Sequence, residues 1–267
     1  MSTALYPILA AAVLGVSAVP AVAHAGDDVI NPDRPDVANS SQVVGKGVVQ
    51  LEAGVQWERQ RDDDLHARTL TTPALLRIGV SDALELSVET DGRTVVHAVE
   101  PASGAHATTA GFADAAFGFK WHVIEQDGAR PSLGLIGTVT LPTGSGALRG
   151  SGARPLVAVP ADWDLADGWS LNVMPALGQD HDDAGRRYGY GVLAASVGKA
   201  FTERLHGFAE LAAPQIARAA HGGTQAVADA GVSWLVNRDC QVDAMVMRGL
   251  NDRTPELTLG FGISIRR

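Results

Sequence analysis

The sequence predicts an all-β protein: a transmembrane, antiparallel, up-and-down β-barrel of about twelve strands, an even number as such barrels require. Three observations predict this fold class. Apolar and polar residues alternate along successive segments, short and long connections between those segments alternate along the chain, and aromatic residues cluster beside the connections. Strict alternation is typical of strands, because successive side chains of a strand point to opposite faces.

The first 25 residues predict a secretory signal peptide that is cleaved after Ala25. They contain no Asp, Glu, Lys or Arg, they include the apolar run Ile8–Val19, and they end in the small-x-small site Ala23-His24-Ala25. A membrane anchor is the alternative, but Pro20 interrupts the run and the segment is short for a spanning helix.

The rest of the chain divides into two predicted parts. Residues 26–46 are polar and contain prolines, which predicts a periplasmic N-terminal segment without regular structure. Residues 47–267 are predicted to form the barrel itself. No later stretch is apolar over the ~18 residues that a transmembrane helix needs, so a membrane-embedded chain would have to be a barrel.

The predicted strands begin with Val48–Glu58. Val49, Leu51, Val55 and Trp57 share one side of this segment, whereas Gln50 and Glu52 lie on the other, so we expect the first set to face lipid and the second the lumen. The further predicted strands are Arg68–Val80, Leu84–Thr90, Phe112–Val123, Ser132–Leu141, Leu156–Leu165, Trp169–Gly178, Gly189–Phe201, Leu205–Ala212, Gln225–Val236, Gln241–Gly249 and Glu256–Arg266.

The connections between these segments favour a membrane barrel over a soluble sandwich. Outer-membrane barrels join their strands by short periplasmic turns and longer extracellular loops. Short connections are predicted at Ser81–Ala83, Ile124–Pro131, Ala166–Gly168, Thr202–Arg204 and Asn237–Asp239. Longer ones alternate with them, at Arg59–Ala67, Asp91–Gly111, Pro142–Pro155, Gln179–Tyr188, Ala213–Thr224 and Leu250–Pro255.

The aromatic residues predict two belts, one at each membrane interface, where amphipathic rings are favoured. Beside the short connections lie Trp121, Trp163, Trp169, Phe201 and Trp234. Beside the long connections lie Trp57, Tyr188 and Tyr190.

Composition excludes several other classes of function. The net charge of −9 argues against a nucleic-acid partner, because such partners attract basic surfaces. The only cysteine, Cys240, allows neither an internal disulfide nor a cysteine-rich metal site.

Charged residues in phase with the polar side of the strands are the candidate lumen-lining residues. Rings of charge on a pore wall set selectivity, and an excess of acid would favour cations or neutral polar solutes. In a narrow barrel, acids and bases can instead pair across the lumen and close it. The candidates are Glu52, Arg77, Glu85, Glu89, Asp114, Lys120, Glu210, Asp229 and Asp243. Asp33, Arg34 and Pro35, just before the first strand, could fold into the barrel mouth as a plug or lie in the periplasm.

No motif predicts catalysis, a cofactor or a metal. The Gly-rich stretch Pro142–Pro155 lacks the spacing of a phosphate loop, and the acidic stretches Arg59–His66 and Gln179–Arg187 lack the order of a calcium loop. His206 and Glu210 share a strand face, but no G-x-S-x-G elbow accompanies them. We therefore expect a protein that is not an enzyme.

The ordered segments of the chain resemble the outer-membrane barrel family labelled putative MetA-pathway of phenol degradation. The resemblance begins at PDRPDVANSSQVVGKGVVQLEAGVQWER, continues through TPALLRIGVSDALELSVETDG, GFADAAFGFKW and TLPTGS, and ends at DAGVSWLVNRDCQVDAMVMRGLNDRTPELTLGFGISIRR. It implies a porin-like transporter of about twelve strands in a Gram-negative outer membrane. Proteins of this kind usually end in an aromatic residue that the outer-membrane assembly machinery reads, whereas this chain ends Ile265-Arg266-Arg267.

The leading functional hypothesis is a passive outer-membrane channel for small molecules, with apolar or aromatic compounds as candidate solutes. The alternatives are a non-conducting structural or adhesive barrel in the same membrane and a soluble periplasmic β-barrel binding protein. The expected partners are the outer-membrane bilayer, the assembly machinery and an unidentified small solute, with no nucleic acid.

Overall fold

The computed structural model of the protein describes residues 29–61, 66–182 and 184–267, so the predicted signal peptide, residues 1–25, lies outside the described residues. Sixteen β-segments make up one sheet. They are β1 (Val49–Arg61), β2 (His66–Thr71), β3 (Ala74–Ser81), β4 (Leu84–Thr90), β5 (Arg93–Val99), β6 (His106–Phe112), β7 (Ala115–Ile124), β8 (Ser132–Leu141), β9 (Arg154–Ala158), β10 (Ala161–Asp164), β11 (Trp169–His181), β12 (Arg187–Ala200), β13 (Leu205–Ile216), β14 (Gln225–Asn237), β15 (Cys240–Gly249) and β16 (Leu257–Arg266). Three short 3₁₀ turns accompany them, at Gly146–Leu148, Ala166–Gly168 and Ala219–His221.

The sixteen segments form twelve barrel strands, because four strands are each interrupted once. β2 and β3 both pair with β1, and β9 and β10 both pair with β8 and with β11. β4 and β5 form one interrupted strand, in which β4 pairs with β3 and β5 pairs with β2. β6 and β7 form the next interrupted strand, in which β6 pairs with β5 and β7 pairs with β4. Pro73 and Pro160 lie in two of the interruptions, as expected for a residue that cannot donate a ladder hydrogen bond.

The pairing of β1 with β16 closes the barrel. It runs from Gln50 opposite Arg266 to Arg59 opposite Leu257, and every pairing between neighbouring strands is antiparallel. The predicted fold class, a closed antiparallel barrel of twelve strands, is therefore confirmed.

The two ends of the barrel differ in the length of their connections. We call the end at which β1 begins and β16 ends the near end, and the opposite end the far end. The shortest near-end turns are residues 82–83 and 238–239, and the longest far-end loop is residues 142–153. The predicted long loop Asp91–Gly111 is wrong, because β5 and β6 occupy most of it and leave only residues 100–105 as the turn. The polar side chains of these strands suggested a loop, yet the strands project as a hydrogen-bonded hairpin.

The outer face of the barrel exposes a band of large apolar side chains. Val49, Leu51 and Val55, predicted to face lipid, are 43%, 41% and 48% exposed, and Leu211 and Phe261 in other strands are more exposed still. Soluble proteins rarely expose a continuous apolar surface of this extent. The inner face instead buries polar residues such as Gln50 and Glu52.

The aromatic residues form the near-end belt but not the complete far-end belt. Trp121, Trp169, Phe201 and Trp234 are exposed on the outer face at the near end. The prediction for Tyr188 and Tyr190 is wrong. Both share the phase of Val192 and Ala194, which are buried on the inner face, so their rings turn away from the outer surface.

Among the residues that the structure describes, no helix is long and apolar enough to cross a membrane.

Replacement of Leu211 by Arg should destabilise the protein in a lipid bilayer. Leu211 lies midway along β13 on the outer face, and an arginine at such a position costs about 2–4 kcal/mol. The measurement is denaturant-induced unfolding in phospholipid vesicles. Phe201→Arg, at the near-end boundary, is the matched control and should cost about 0–1 kcal/mol. Equal destabilisation by the two substitutions would contradict the placement of the apolar band.

Candidate functional site

Eight of the nine sequence-predicted lumen residues are buried on the inner face of the barrel. These eight are Glu52, Arg77, Glu85, Asp114, Lys120, Glu210, Asp229 and Asp243. The ninth, Glu89, has the same inward phase as Glu85 but is exposed, because it borders open cavities at the far end. The interior is thus lined by charge, and each buried charge needs a partner.

A buried ion-pair network joins five of the inward-facing charges. The Arg77 guanidinium donates to Glu85 at 2.7 Å and to Glu52 at 3.2 Å. The Lys120 ammonium lies 2.6 Å from Asp33 Oδ1 and 3.9 Å from Glu85 Oε1. Asp33 belongs to the chain before β1, so the network ties that chain to β1, β3, β4 and β7. Three acids and two bases thereby pair inside the barrel.

Residues 29–46, which we call the inner segment, lie against these inward-facing side chains. Sequence reasoning predicted an irregular periplasmic segment over 26–46, and the described part contains no helix or strand. The segment contacts the inner wall of the barrel instead of standing clear of its near end. Ile30 donates to the carbonyl of Arg238 in a near-end turn, so the inner segment meets that end of the barrel.

The backbone amides of the inner segment donate to wall carboxylates on four different strands. Glu52 of β1 accepts from Asp33 and Arg34, at 3.1–3.2 Å. Glu210 of β13 accepts from Val37 at 2.8 Å and from Ala38 at 2.9 Å.

Two further carboxylates repeat this arrangement nearer the start of β1. Asp162 of β10 accepts from the Ser41 amide at 2.6 Å, and Glu85 of β4 accepts from the Val44 amide at 2.8 Å. Hydrogen bonds to an ionised acceptor are roughly twice as strong as neutral ones. A segment without secondary structure needs such partners, because its buried amides have no others.

The wall opposite the ion-pair network is apolar. Ala38 of the inner segment packs in a buried cluster with wall side chains, and Val37 lies against it. The wall members of this cluster are Ile136, Ala158, Met174, Ala176, Val192, Ala194, Ala212 and Val227. The inner segment therefore contacts both charged and apolar regions of the wall, and β13 and β14 contribute to both.

Two glycines make room for the side chain of Arg34. A Cβ at Gly54 of β1 would lie 2.6 Å from Arg34 Nη2, and one at Gly262 of β16 would lie 2.5 Å from Arg34 Nε. Arg34 Nη2 donates to Asp243 of β15 at 3.3 Å. The recess at these glycines admits the guanidinium, which fixes the Asp33-Arg34-Pro35 stretch within the barrel.

An acidic cluster faces the inner segment from β13 and β14. Glu210 and Asp229 are directly opposite each other in the strand pairing, and both are buried. Neither carboxylate oxygen of Asp229 has a hydrogen-bond partner among the described residues. Burial, together with the nearby charge of Glu210, raises the pKa of Asp36 in the inner segment well above its usual value.

Asp114 serves the far-end loop and not the ion-pair network. Its carboxylate accepts from Arg154 at 2.7 Å and from the amides of Gly144 and Gly150. It thus holds the loop of residues 142–153 against the barrel mouth. Sequence reasoning did not single out Arg154 as a site residue.

Sequence reasoning also left Asp162 and Asn172 out of the candidate site. Asn172 donates to Asp162 at 2.6 Å and to the carbonyl of Asn39 at 3.0 Å, so the two side chains hold the inner segment together. The inward phase of Asp162 was the available signal. Its partnership with the Ser41 amide could not be read from that phase.

The inner segment separates cavities at the two ends of the barrel. The near-end cavity has a volume of about 630 Å³, and a far-end cavity next to Glu89 has a volume of about 310 Å³. Arg34, Pro35 and Asp36 border both of them. The three residues therefore form a partition across the lumen.

A second far-end cavity, of about 300 Å³, lies between the apolar side chains of the wall and the ion-pair network. Its apolar side includes Ile136, Leu156, Met174 and the ring of Tyr190. Its charged lining residues are Asp33, Arg77, Glu85, Glu89, Lys120, Arg154 and Asp180. Among residues 29–61, 66–182 and 184–267, no group of three or more His, Cys, Asp or Glu side chains is arranged to hold a metal ion.

Replacement of Glu210 by Gln should loosen the inner segment. The substitution removes the charge that accepts from the Val37 and Ala38 amides, and charge-assisted bonds contribute enough that exchange of these amides should accelerate on the order of tenfold. Hydrogen exchange of the two amides measures the change. Glu89→Gln removes an inward-facing charge that makes no hydrogen bond to the inner segment among the described residues, and it should leave their exchange unchanged. Acceleration of the same size in both variants would contradict the assigned role of Glu210.

Comparison with solved structures shows which proteins share this fold. An outer membrane channel from Pseudomonas putida F1 superposes with a TM-score of 0.62 at 12% identity, covering 85% of this chain and 98% of that one. The β domain of the Bordetella autotransporter BrkA gives 0.56 at 12% identity, covering 82% and 99%. The KdgM porin, solved with oligogalacturonate, gives 0.50 at 10% identity, covering 82% and 98%. At these identities the likeness establishes the barrel fold alone.

Comparison at the level of sequence is more specific. No curated protein matches the chain. A family model described as Putative MetA-pathway of phenol degradation matches residues 32–266, which include most of the inner segment and nearly the whole barrel. The resemblance noted in the sequence is therefore confirmed, and the chain belongs to this family.

Proposed function

We propose that the protein is an outer-membrane channel for the passive passage of small molecules. The observation that carries the proposal is a closed barrel with an apolar outer face that encloses cavities on both sides of the inner segment. Residues 1–25 would direct export and be removed. The near end, with its short turns, would face the periplasm, and the far end would face the exterior.

The outer-membrane bilayer and the outer-membrane assembly machinery are the macromolecular partners under this proposal. The exposed apolar side chains of the outer face would contact lipid acyl chains. A backbone surrounded by lipid must satisfy its polar groups internally, and the closed ring of strands does so. We propose no catalytic role, cofactor or metal.

We further propose that the Asp33-Arg34-Pro35 stretch acts as a plug. Its Arg34 and Pro35 belong to the partition between the cavities, and wall carboxylates hold the inner segment that carries them. Passage of a solute would then require the segment to shift. Glu89 and the inward charges Glu52, Arg77, Glu85, Lys120, Glu210, Asp229 and Asp243 would set selectivity in the shifted state, whereas Asp114 would anchor the far-end loop.

Apolar and aromatic compounds are the proposed solutes. The far-end cavity beside Tyr190 offers Ile136, Leu156 and Met174 to the carbon skeleton of a solute, and its polar side, which includes Thr138, Arg77 and Lys120, to a hydroxyl or carboxylate. A volume of about 300 Å³ suits a molecule of one aromatic ring.

The first test is the behaviour of outer-membrane fractions on a denaturing gel. A closed barrel resists detergent until heated, so we expect boiled and unboiled samples to migrate differently. Recovery of the full-length product in the soluble periplasmic fraction, without a shift, would refute the membrane placement and favour the soluble binding protein.

The second test locks the inner segment to the wall. Ser41 Oγ and Ser132 Oγ lie 2.7 Å apart, so cysteines at both positions, in a Cys240→Ser background, should form a disulfide. Planar-bilayer conductance should be lowest with the disulfide formed, rise on reduction, and be highest after deletion of residues 29–46.

The control for this test is the Cys240→Ser protein with both serines retained, which should not respond to the reductant. An inserted barrel that conducts neither ions nor small solutes, even after the deletion, would refute the channel and support a structural or adhesive barrel. Conductance that is insensitive to the disulfide would refute the plug alone.

A further inference from the structure

The hairpin of β5 and β6 and the adjoining parts of β1 and β2 extend the outer face beyond the apolar band. Cross-strand pairing places Trp57, Leu70, Val95 and Ala110 in one row on this face. The next row toward the far end is Arg59, Arg68, His97 and Thr108, and the row after it is Arg61, His66, Val99 and His106. The outer face thus changes from apolar to basic within one row of residues.

This basic strip, which we define as Arg59, Arg61, His66, Arg68, His97 and His106, is accessible from outside the barrel. All its members except Arg59 are exposed. Arg59 forms an ion pair with Glu256 at 3.1 Å, but no described carboxylate forms an ion pair with Arg61 or Arg68. Within the described residues, the strip gathers three arginines and three histidines on the outer face of a chain with a net charge of −9.

The position of the strip indicates which kind of anion would bind to it. Arginine is suited to phosphate, because its planar guanidinium donates two parallel hydrogen bonds to neighbouring oxygens. The strip continues directly from the apolar row of Trp57, Leu70 and Val95. A partner that carries acyl chains and phosphate in one molecule would cover both surfaces together.

We infer that the basic strip binds the phosphates of lipid A in the outer leaflet, with the lipid's acyl chains against the apolar rows below. The inference rests on the proposed outer-membrane placement, which sets the far end outward. Arg61 and Arg68 bind phosphate, and the neighbouring imidazoles of His66 and His97 add hydrogen bonds. The barrel thereby holds lipid A along the wall of β1, β2, β5 and β6.

The test compares two double variants of the full-length, refolded protein. Arg61→Gln with Arg68→Gln removes two charges from the strip. Arg187→Gln with Arg218→Gln removes two exposed charges at the same end of the barrel, on β12 and in the loop after β13. Binding to bis-phosphorylated lipid A in detergent micelles is measured by native mass spectrometry, with dephosphorylated lipid A and inorganic phosphate as comparison probes.

We expect the strip variant to bind bis-phosphorylated lipid A more weakly by on the order of tenfold, and the control variant to bind as the wild type does. Dephosphorylated lipid A should bind weakly to all three proteins, and inorganic phosphate should not compete. EDTA is present throughout, because Asp62, Asp63 and Asp64, which lie outside the described residues, could hold lipid phosphates through divalent cations.

Equal binding by the strip variant and the wild type, or equal loss in both variants, would overturn the inference, as would competition by inorganic phosphate. Conductance and heat-dependent gel mobility are recorded on the same samples. If the binding of lipid A contradicts the inference but conductance is intact, the proposed channel function is not refuted. A protein that shows no heat-dependent shift refutes the membrane placement on which both rest.

Discussion

The closure of the sheet between β1 and β16 is the constraint on which the rest of the structure depends. A sheet with free edges would expose unpaired amides and carbonyls, which is too costly in lipid. Closure removes both edges and also fixes an inside and an outside, because alternate side chains must point to opposite faces. Every later feature of the molecule, from the outer apolar band to the buried charges, follows from this division.

The charges buried inside the barrel are a second constraint, and the inner segment satisfies it. Buried carboxylates such as Glu52, Glu85 and Glu210 need hydrogen-bond donors, and a chain without secondary structure needs acceptors for its amides. Each supplies what the other lacks, and Arg77 and Lys120 neutralise part of the charge of Asp33, Glu52 and Glu85. The irregular segment and the charged wall are therefore stable together and would be costly apart.

The way the segment is held bears on how a channel of this kind could open. Removal of one partner from a buried ion pair costs about 3–5 kcal/mol, so the network around Asp33 resists partial release. The apolar contact around Ala38 involves four alanines of the wall together with larger apolar side chains such as Ile136 and Met174. A solute in the far-end cavity next to Tyr190 would contact the inner segment at Val37, which Glu210 holds, and at Asp33 of the ion-pair network.

The sequence by itself determined most of the strands, the number of strands in the barrel and the inward phase of residues such as Glu52, Arg77 and Asp229, because a period of two is local and can be read along the chain. It could not decide which charges meet. The pairing of Lys120 with Asp33, 87 positions away, the use of Asp114 by the far-end loop and the roles of Asp162 and Arg154 depend on contacts between distant parts of the chain. The inward turn of Tyr190 and the strands within Asp91–Gly111 were likewise decided by pairing between neighbouring strands, which the pattern of residues along the chain did not reveal.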